Sequence, residues 1–142
     1  MMSKRARFLA AALSYEGTPF RHQGRLPSVA LDCAGVVVCA AHAADVVVSD
    51  QTGYARIPSG GAFERAIKDH CDPVAEADLL PGDLAAFIVR DEPQHIAVVL
   101  SAEGGRVMLL HAFADVKRVA INGMDDTWRK RLRGFWRLRG MD

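Results

Sequence analysis

The stretch Leu31-Asp32-Cys33-Ala34-Gly35-Val36-Val37-Val38 constrains this chain more than any other, because it opens a helix, from about Cys33 to Ala44, that is apolar on almost every side. Such a helix has to be covered all round, so the rest of the chain must supply the layers that bury it. Upstream, Thr18-Pro19-Phe20 and the polar run Arg21-His22-Gln23-Gly24-Arg25-Leu26-Pro27-Ser28 keep the backbone extended or turning, and Asp32 then reads as the N-cap. Cys33 falls in the first turn, where unpaired N–H groups and the positive end of the helix dipole favour a thiolate. It is the candidate nucleophile. The alternative is that it is simply a small buried hydrophobe, as most cysteines outside disulfides are.

The chain of 142 residues has the size of one ordinary domain, read here as 1–142, and can bury a core without metal or disulfide support. A formal net charge of +1 exerts no general pull toward nucleic acid or an anionic membrane. Three cysteines without a CxxC pair make no disulfide framework and fit a reducing compartment. Lys4-Arg5-Ala6-Arg7 followed by Phe8 to Leu13 has the order of a signal peptide, but its apolar run is shorter than the roughly 7 to 15 residues such a region needs. It reads as a helix, which implies a chain that is cytoplasmic when synthesised. The apolar run Ala34 to Val48 carries His42 and Asp45 and falls short of the roughly 18 residues of a membrane span.

In chain order, Phe8, Leu9, Ala12 and Leu13 recur at helical spacing and predict an amphipathic first helix that ends near Tyr15-Glu16-Gly17 and braces the Cys33 helix. Val46-Val47-Val48 either prolongs the second helix or forms a short extended piece. Ile57-Pro58-Ser59-Gly60-Gly61 breaks the chain, and Ala62, Phe63, Ala66 and Ile67 predict a third helix up to His70-Cys71. After Asp72-Pro73 the pattern turns to strands. Leu80-Pro81-Gly82-Asp83 is a turn into a strand from Leu84 to Val89, and Arg90-Asp91-Glu92-Pro93 a turn into Gln94 to Leu100. Glu103-Gly104-Gly105 predicts a hairpin into Arg106 to Phe113, with further strands at Val116 to Ile121 and Phe135 to Leu138 and a helical turn within Asp125 to Arg133. Helices first and strands afterwards is the α+β pattern, an antiparallel sheet packed on the helices. In the basic run Arg129-Lys130-Arg131-Leu132-Arg133, Leu132 and the flanking Trp128, Phe135 and Trp136 favour a solvated amphipathic face over a nucleic-acid patch.

A cysteine nucleophile needs an imidazole that takes its proton and hands it to the leaving amine. His95 opens a strand straight after a loop, where it can stay at the sheet rim and face a helix mouth; His111 sits near the end of the next long strand. If the two strands pair through Gly104-Gly105, the rings come close enough for one to orient the other. The competing reading makes each a structural histidine. A zinc site can be drawn from Cys39, His42, His70 and Cys71, but no chelating pair has finger-like spacing and Cys39 lies on a different helix face from Cys33, so no metal or cofactor is expected. Cys39 reads as core and Cys71 as a helix-end residue.

Gly17-Thr18-Pro19-Phe20-Arg21, Leu31-Asp32-Cys33-Ala34-Gly35-Val36-Val37, Leu80-Pro81-Gly82-Asp83-Leu84, Gln94-His95-Ile96-Ala97-Val98 and Leu110-His111-Ala112 together resemble the NlpC-type papain-like cell-wall peptidases, most of all their phage-tail-associated branch. The likeness runs from about Tyr15 to the C-terminus, and the Asp-Cys-x-Gly, Pro-Gly-Asp and His-x-Ala blocks are specific in combination although each alone is weak. It implies a papain-like fold, Cys33 as nucleophile, His95 as general base and His111 as the third, polar member. It also implies hydrolysis of amide bonds in peptidoglycan stem peptides, typically between D-glutamate and the diamino acid, with access to the wall through a phage or prophage tail.

Family members usually carry tyrosine where this chain has Phe20 and serine where it has Ala34, which bears on how the oxyanion is held. The backbone N–H of Cys33 remains, and Gln23 or His22 stands in the preceding loop to supply the lost hydrogen bond, with Asp32 as the cap beneath. Two other readings stay open: an assembly component of a phage tail that keeps the fold without useful activity, and an acyltransferase or amidase acting on another small amide.

Overall fold

The computed structural model describes residues 2–50, 61–89 and 92–142. The predicted chain break at 57–60 and the turn at 90–91 lie outside the described residues. Helix α1, Lys4–Ser14, starts where Ser3 Oγ accepts the Ala6 N–H at 3.0 Å and turns Phe8 and Ala12 inward. Leu13, expected on that apolar face, is instead 45% exposed. A hairpin of two short strands, β1 (Arg25–Leu26) and β2 (Ala30–Leu31), leads into α2, Cys33–Ala43.

Helix α2 is the core element its composition requires. Val36, Val37, Ala40 and Ala41 are buried between α1 and the sheet, and the small alanines let the layers approach closely. Asp45 ends the helix in the left-handed region, φ 59°, with Val46 N–H returning to the Ala41 carbonyl and Asp45 N–H to that of His42. That is a Schellman closure, and it resolves the valine run as extended. Val46 is buried and Val47 is 92% exposed. Helix α3, Ala62–His70, follows as predicted.

The strand half forms one six-stranded antiparallel sheet. Its members are β3 (Cys71–Val74), β4 (Leu84–Val89), β5 (Glu92–Ser101), β6 (Met108–Phe113), β7 (Arg118–Gly123) and β8 (Leu132–Leu138), in the order β3-β8-β4-β5-β6-β7. Strands β4 to β7 are a meander. The short helix α4, Asp126–Arg131, then carries the chain back so that β8 pairs with the other side of β4. Strand β3 was not foreseen; Cys71 opens it rather than merely ending α3, and Pro73 is tolerated because β3 is an edge strand. Strand β7 begins two residues later than expected because Val116 belongs to the turn closed by Lys117 N–H on the Phe113 carbonyl.

Alternation along the strands gives the sheet two apolar faces. Leu84, Ala86, Ile96, Val98, Leu110 and Ala112 pack toward α1 and α2. Ala85, Phe87, Ala97, Val99 and Leu109 form a second core with Trp128 of α4 and Phe135. No described helix is long and apolar enough to cross a membrane.

Leu80-Pro81-Gly82-Asp83 makes the type II turn that proline second and glycine third require, with Gly82 at φ 97° and Asp83 N–H on the Leu80 carbonyl at 3.0 Å. The turn buries the Asp83 carboxylate completely. There it accepts from Arg137 Nε and Nη2, both at 2.8 Å, from Arg5 Nη1 at 3.2 Å and from Leu80 N–H at 2.9 Å, and so ties α1, β8 and the turn together. Asp142 meets the same Arg5 from an exposed position. Asp83→Ala is therefore expected to cost about 2 kcal/mol or more in urea denaturation, and Asp142→Ala less than about 1 kcal/mol. Equal losses would show that the buried carboxylate has no special role.

Candidate active site

The mouth of α2 is built around the Asp32 side chain. Its Oδ1 accepts Gly35 N–H at 2.7 Å and Arg25 Nη1 at 2.8 Å, and its Oδ2 accepts Gln23 N–H at 2.9 Å, the last from a loop residue held at φ 61°. One carboxylate thus caps the helix and fastens the preceding loop to it. The glycine of the Asp-Cys-x-Gly block is required by close approach, since a Cβ on Gly35 would lie 2.1 Å from the Gly24 carbonyl oxygen. Arg25 also reaches Asp50 through Nε at 2.9 Å, so its charge is shared between two carboxylates.

Cys33 stands in the first turn, as expected, and packs against the core on the helix side of the sheet. The expected lowering of its pKa does not hold. Burial, followed by the negative charge of Asp32, pushes the Cys33 thiol up to about 12, while the backbone N–H groups of Ile96 and Ala34 and the charge of Arg25 pull the other way. Desolvation outweighs the helix end, and the thiol rests protonated. Burial raises the Cys39 and Cys71 thiols too, the latter to about 12.

His95 and His111 meet directly: His95 Nε2 lies 2.6 Å from His111 Nδ1. In an antiparallel ladder that aligns Val98 with Leu110, the two residues are diagonal neighbours at the same end, both on the second-core face. His95 is not at an open rim as expected. Strand β5 begins at Glu92, and the His95 ring is 5% exposed among Phe87, Phe113 and Trp128, with centroids 6.0, 5.5 and 5.4 Å away. Burial, then the neighbouring His111 and Arg131, holds the His95 pKa well below the usual imidazole value. Burial lowers His111 as well. Both rings are therefore neutral near pH 7, so His95 is able to receive a proton.

Strand β5 connects the two halves of the site. Ile96 turns its side chain to the α2 core and offers its backbone N–H to Cys33, while His95, one residue earlier, turns its ring to the opposite face. β-bulges at Phe87, the residue paired with His95, disturb both ladders of β4 at this point.

The remaining candidates surround the α2 mouth. Phe20 packs against the helix-side core and bridges Leu31. Gln23 Nε2 and His22 Nε2 are 3.5 Å apart on the loop that Asp32 fastens. The zinc ligands drawn from sequence have separate partners: Cys39 donates to the Arg25 carbonyl, and His70 meets Ser49 Oγ at 3.1 Å. Sequence reasoning missed Asn122, whose Oδ1 lies 2.5 Å from His111 Nε2, and Arg25, which shares the Asp32 carboxylate. No motif marks either, although Asn122 falls on the strand that pairs with that of His111.

The NlpC/P60 family pattern matches residues 17–137. No curated protein sequence matches the chain. Among solved structures, it is similar to an NLP/P60-family protein from Staphylococcus aureus described as similar to lipoprotein, with 19% identity and a TM-score of 0.72 over 95% of this chain and 41% of that one. It is similar to NlpC2 from Trichomonas vaginalis, with 15% identity and a TM-score of 0.67 over 96% of this chain and 48% of that one. The NlpC/p60 domain of the peptidoglycan hydrolase SagA is similar over 93% of this chain and 96% of that one, with 22% identity and a TM-score of 0.63. The chain spans less than half the length of the first two. These likenesses show the fold: helices on an antiparallel sheet in the papain-like arrangement. With the family pattern running through the Asp32-Cys33 helix mouth, the Pro-Gly-Asp turn and the strands of both histidines, the chain belongs to the NlpC/P60 family.

Proposed function

We propose that this protein is a cysteine peptidase that hydrolyses amide bonds in peptidoglycan stem peptides. The observation that carries the reading is the buried, neutral His95–His111 pair, one residue along β5 from the N–H that faces the Cys33 thiol. Similarity to the SagA peptidoglycan hydrolase domain supports the substrate class.

In this mechanism His95 accepts the Sγ proton of Cys33 as the sulfur attacks the substrate carbonyl carbon, and the backbone N–H groups at the mouth of α2 hold the developing oxyanion. The resulting imidazolium returns the proton to the leaving nitrogen, the C–N bond breaks, and a thioester remains. Water then attacks the thioester with His95 as base, the acid is released, and the thiol regains its proton. Because thiol and imidazole both rest neutral, proton transfer accompanies attack rather than preceding it. Gln23 and His22 are the side chains proposed to stand in for the hydroxyl that Phe20 lacks. The motif resemblance to the phage-tail-associated branch supports a tail or prophage-tail setting as the route to the wall.

A second reading, a tail assembly component without useful turnover, is favoured by Phe20 and Ala34, which remove polar groups from the oxyanion region. Mass analysis of fragments released from purified peptidoglycan separates the two. The peptidase reading expects wild-type release, abolished in Cys33→Ala and reduced by roughly a thousandfold or more in His95→Ala, with the melting temperature of Cys33→Ala little changed. Fragment release by Cys33→Ala would remove the nucleophile assignment, and an inactive wild type on several peptidoglycan types would support the assembly reading.

The depressed histidines also set a stability profile. Below an unfolded value of about 6.5 the unfolded chain binds protons that the folded pair does not, so stability is complete above that pH and falls as pH drops beneath it. The melting temperature should decline between about pH 7 and pH 5, and His95→Gln should flatten part of that decline. An unchanged slope in His95→Gln would show that the ring is not held neutral by the fold.

A further inference from the structure

The hydrogen bonds behind the histidine pair assign protons as well as positions. Asn122 Nδ2 donates to the Gly123 carbonyl at 3.0 Å, which turns Oδ1 toward His111 Nε2 at 2.5 Å. The opposite amide orientation would set Oδ1 against that carbonyl, two acceptors facing one another. An amide oxygen carries no proton, so the proton of the Asn122–His111 bond sits on His111 Nε2. In a neutral ring the other nitrogen, Nδ1, is then a bare acceptor, and it faces His95 Nε2 at 2.6 Å. The proton of that second bond therefore sits on His95 Nε2, and His95 Nδ1 is left bare. Trp128 lies against both rings, with centroids 5.4 and 5.1 Å away, and packs over the chain of bonds.

We propose that Asn122 is a positioning residue of the hydrolytic site: by accepting from His111 it sets the tautomers of both imidazoles in series and makes Nδ1 of His95 the atom that takes the Cys33 proton. The last step rests on the peptidase reading; the tautomer assignment does not. Burial, which keeps both rings neutral, supports the single-proton count on each. Besides the pair itself, the ionisable group that acts on it is Arg131 from α4, whose field disfavours a proton on His95.

The series makes an isosteric variant informative. In Asn122→Asp a carboxylate replaces the amide, so His111 gains a second proton and its Nδ1 becomes a donor. That donor faces the Nε2–H of His95, and His95 must adopt the other tautomer, losing its bare Nδ1. Asn122→Leu keeps the volume and removes the acceptor.

The test is long-range 15N–1H correlation NMR of the whole protein near neutral pH, with turnover measured on one stem-peptide substrate. In the wild type, both histidines should carry their proton on Nε2. Asn122→Leu should mix the tautomers of His111 and lower kcat roughly tenfold to a hundredfold with KM little changed, and Asn122→Asp should move the His95 proton to Nδ1 with a similar loss. A wild-type His111 protonated on Nδ1, or wild-type tautomers and kcat in both variants, would overturn the assignment. If the wild type releases nothing from peptidoglycan, the peptidase reading falls while the NMR spectra still decide what Asn122 sets.

Discussion

The Asp32 carboxylate holds the α2 mouth together and at the same time disfavours a thiolate there. By accepting from Gly35, Arg25 and Gln23 it fixes the helix start, the β1 hairpin and the loop before it in one arrangement, and Cys33 follows it directly in the chain. The same negative charge raises the thiol it positions. Arg25 limits that effect, because its guanidinium neutralises the carboxylate within 2.8 Å and pulls the thiol down in its own right. Replacing the cap by a neutral Ser or Asn would ease the thiol but give up the charge-assisted bond to Arg25 that locks the loop. The arrangement favours position over resting acidity.

In the proposed mechanism that choice makes the histidine pair necessary. A thiolate stabilised in the resting state would need only a helix end, whereas a thiol held near 12 needs a base close by at the moment of attack. An aromatic surround supplies one of the right kind. Phe87, Phe113 and Trp128 strip water from His95 and keep it uncharged, and His111 holds its ring in place. Burial that disfavours charge on either partner alone disfavours the separated ion pair too. In the same proposed mechanism, a negative oxyanion held by helix-end N–H groups compensates the imidazolium formed beside it.

Much of this was legible from particular residues. Asp32 before an apolar run announced the helix and its cap, Pro81-Gly82 announced a type II turn, and the strands carrying His95 and His111 were bounded by turn residues. What was not legible depends on partners distant in sequence. Strand β3 contains Pro73 and reads as a breaker until β8 arrives to pair with it. The acidity of Cys33 is not legible in the sequence, because helix-end effects are local and visible there, while desolvation comes from elements that only the fold assembles. Asn122 carries no motif; it matters because β7 pairs with β6 in the register that sets it diagonal to His111.

The two faces of the sheet add a mechanical constraint. Cys33 belongs to the core between α2 and the sheet, and His95 to the core between the sheet and α4. Strand β5 lies between them, and the ladders of β4 are irregular at Phe87, the residue paired with His95. A bulge bends and twists a strand locally, which tilts its side chains away from the strict up-and-down alternation of a flat sheet. Phe87, edge-on against Trp128 at 5.0 Å, stands at this irregularity on the second-core face, so the packing of α4 and the break in the β4 pleat fall at the same place.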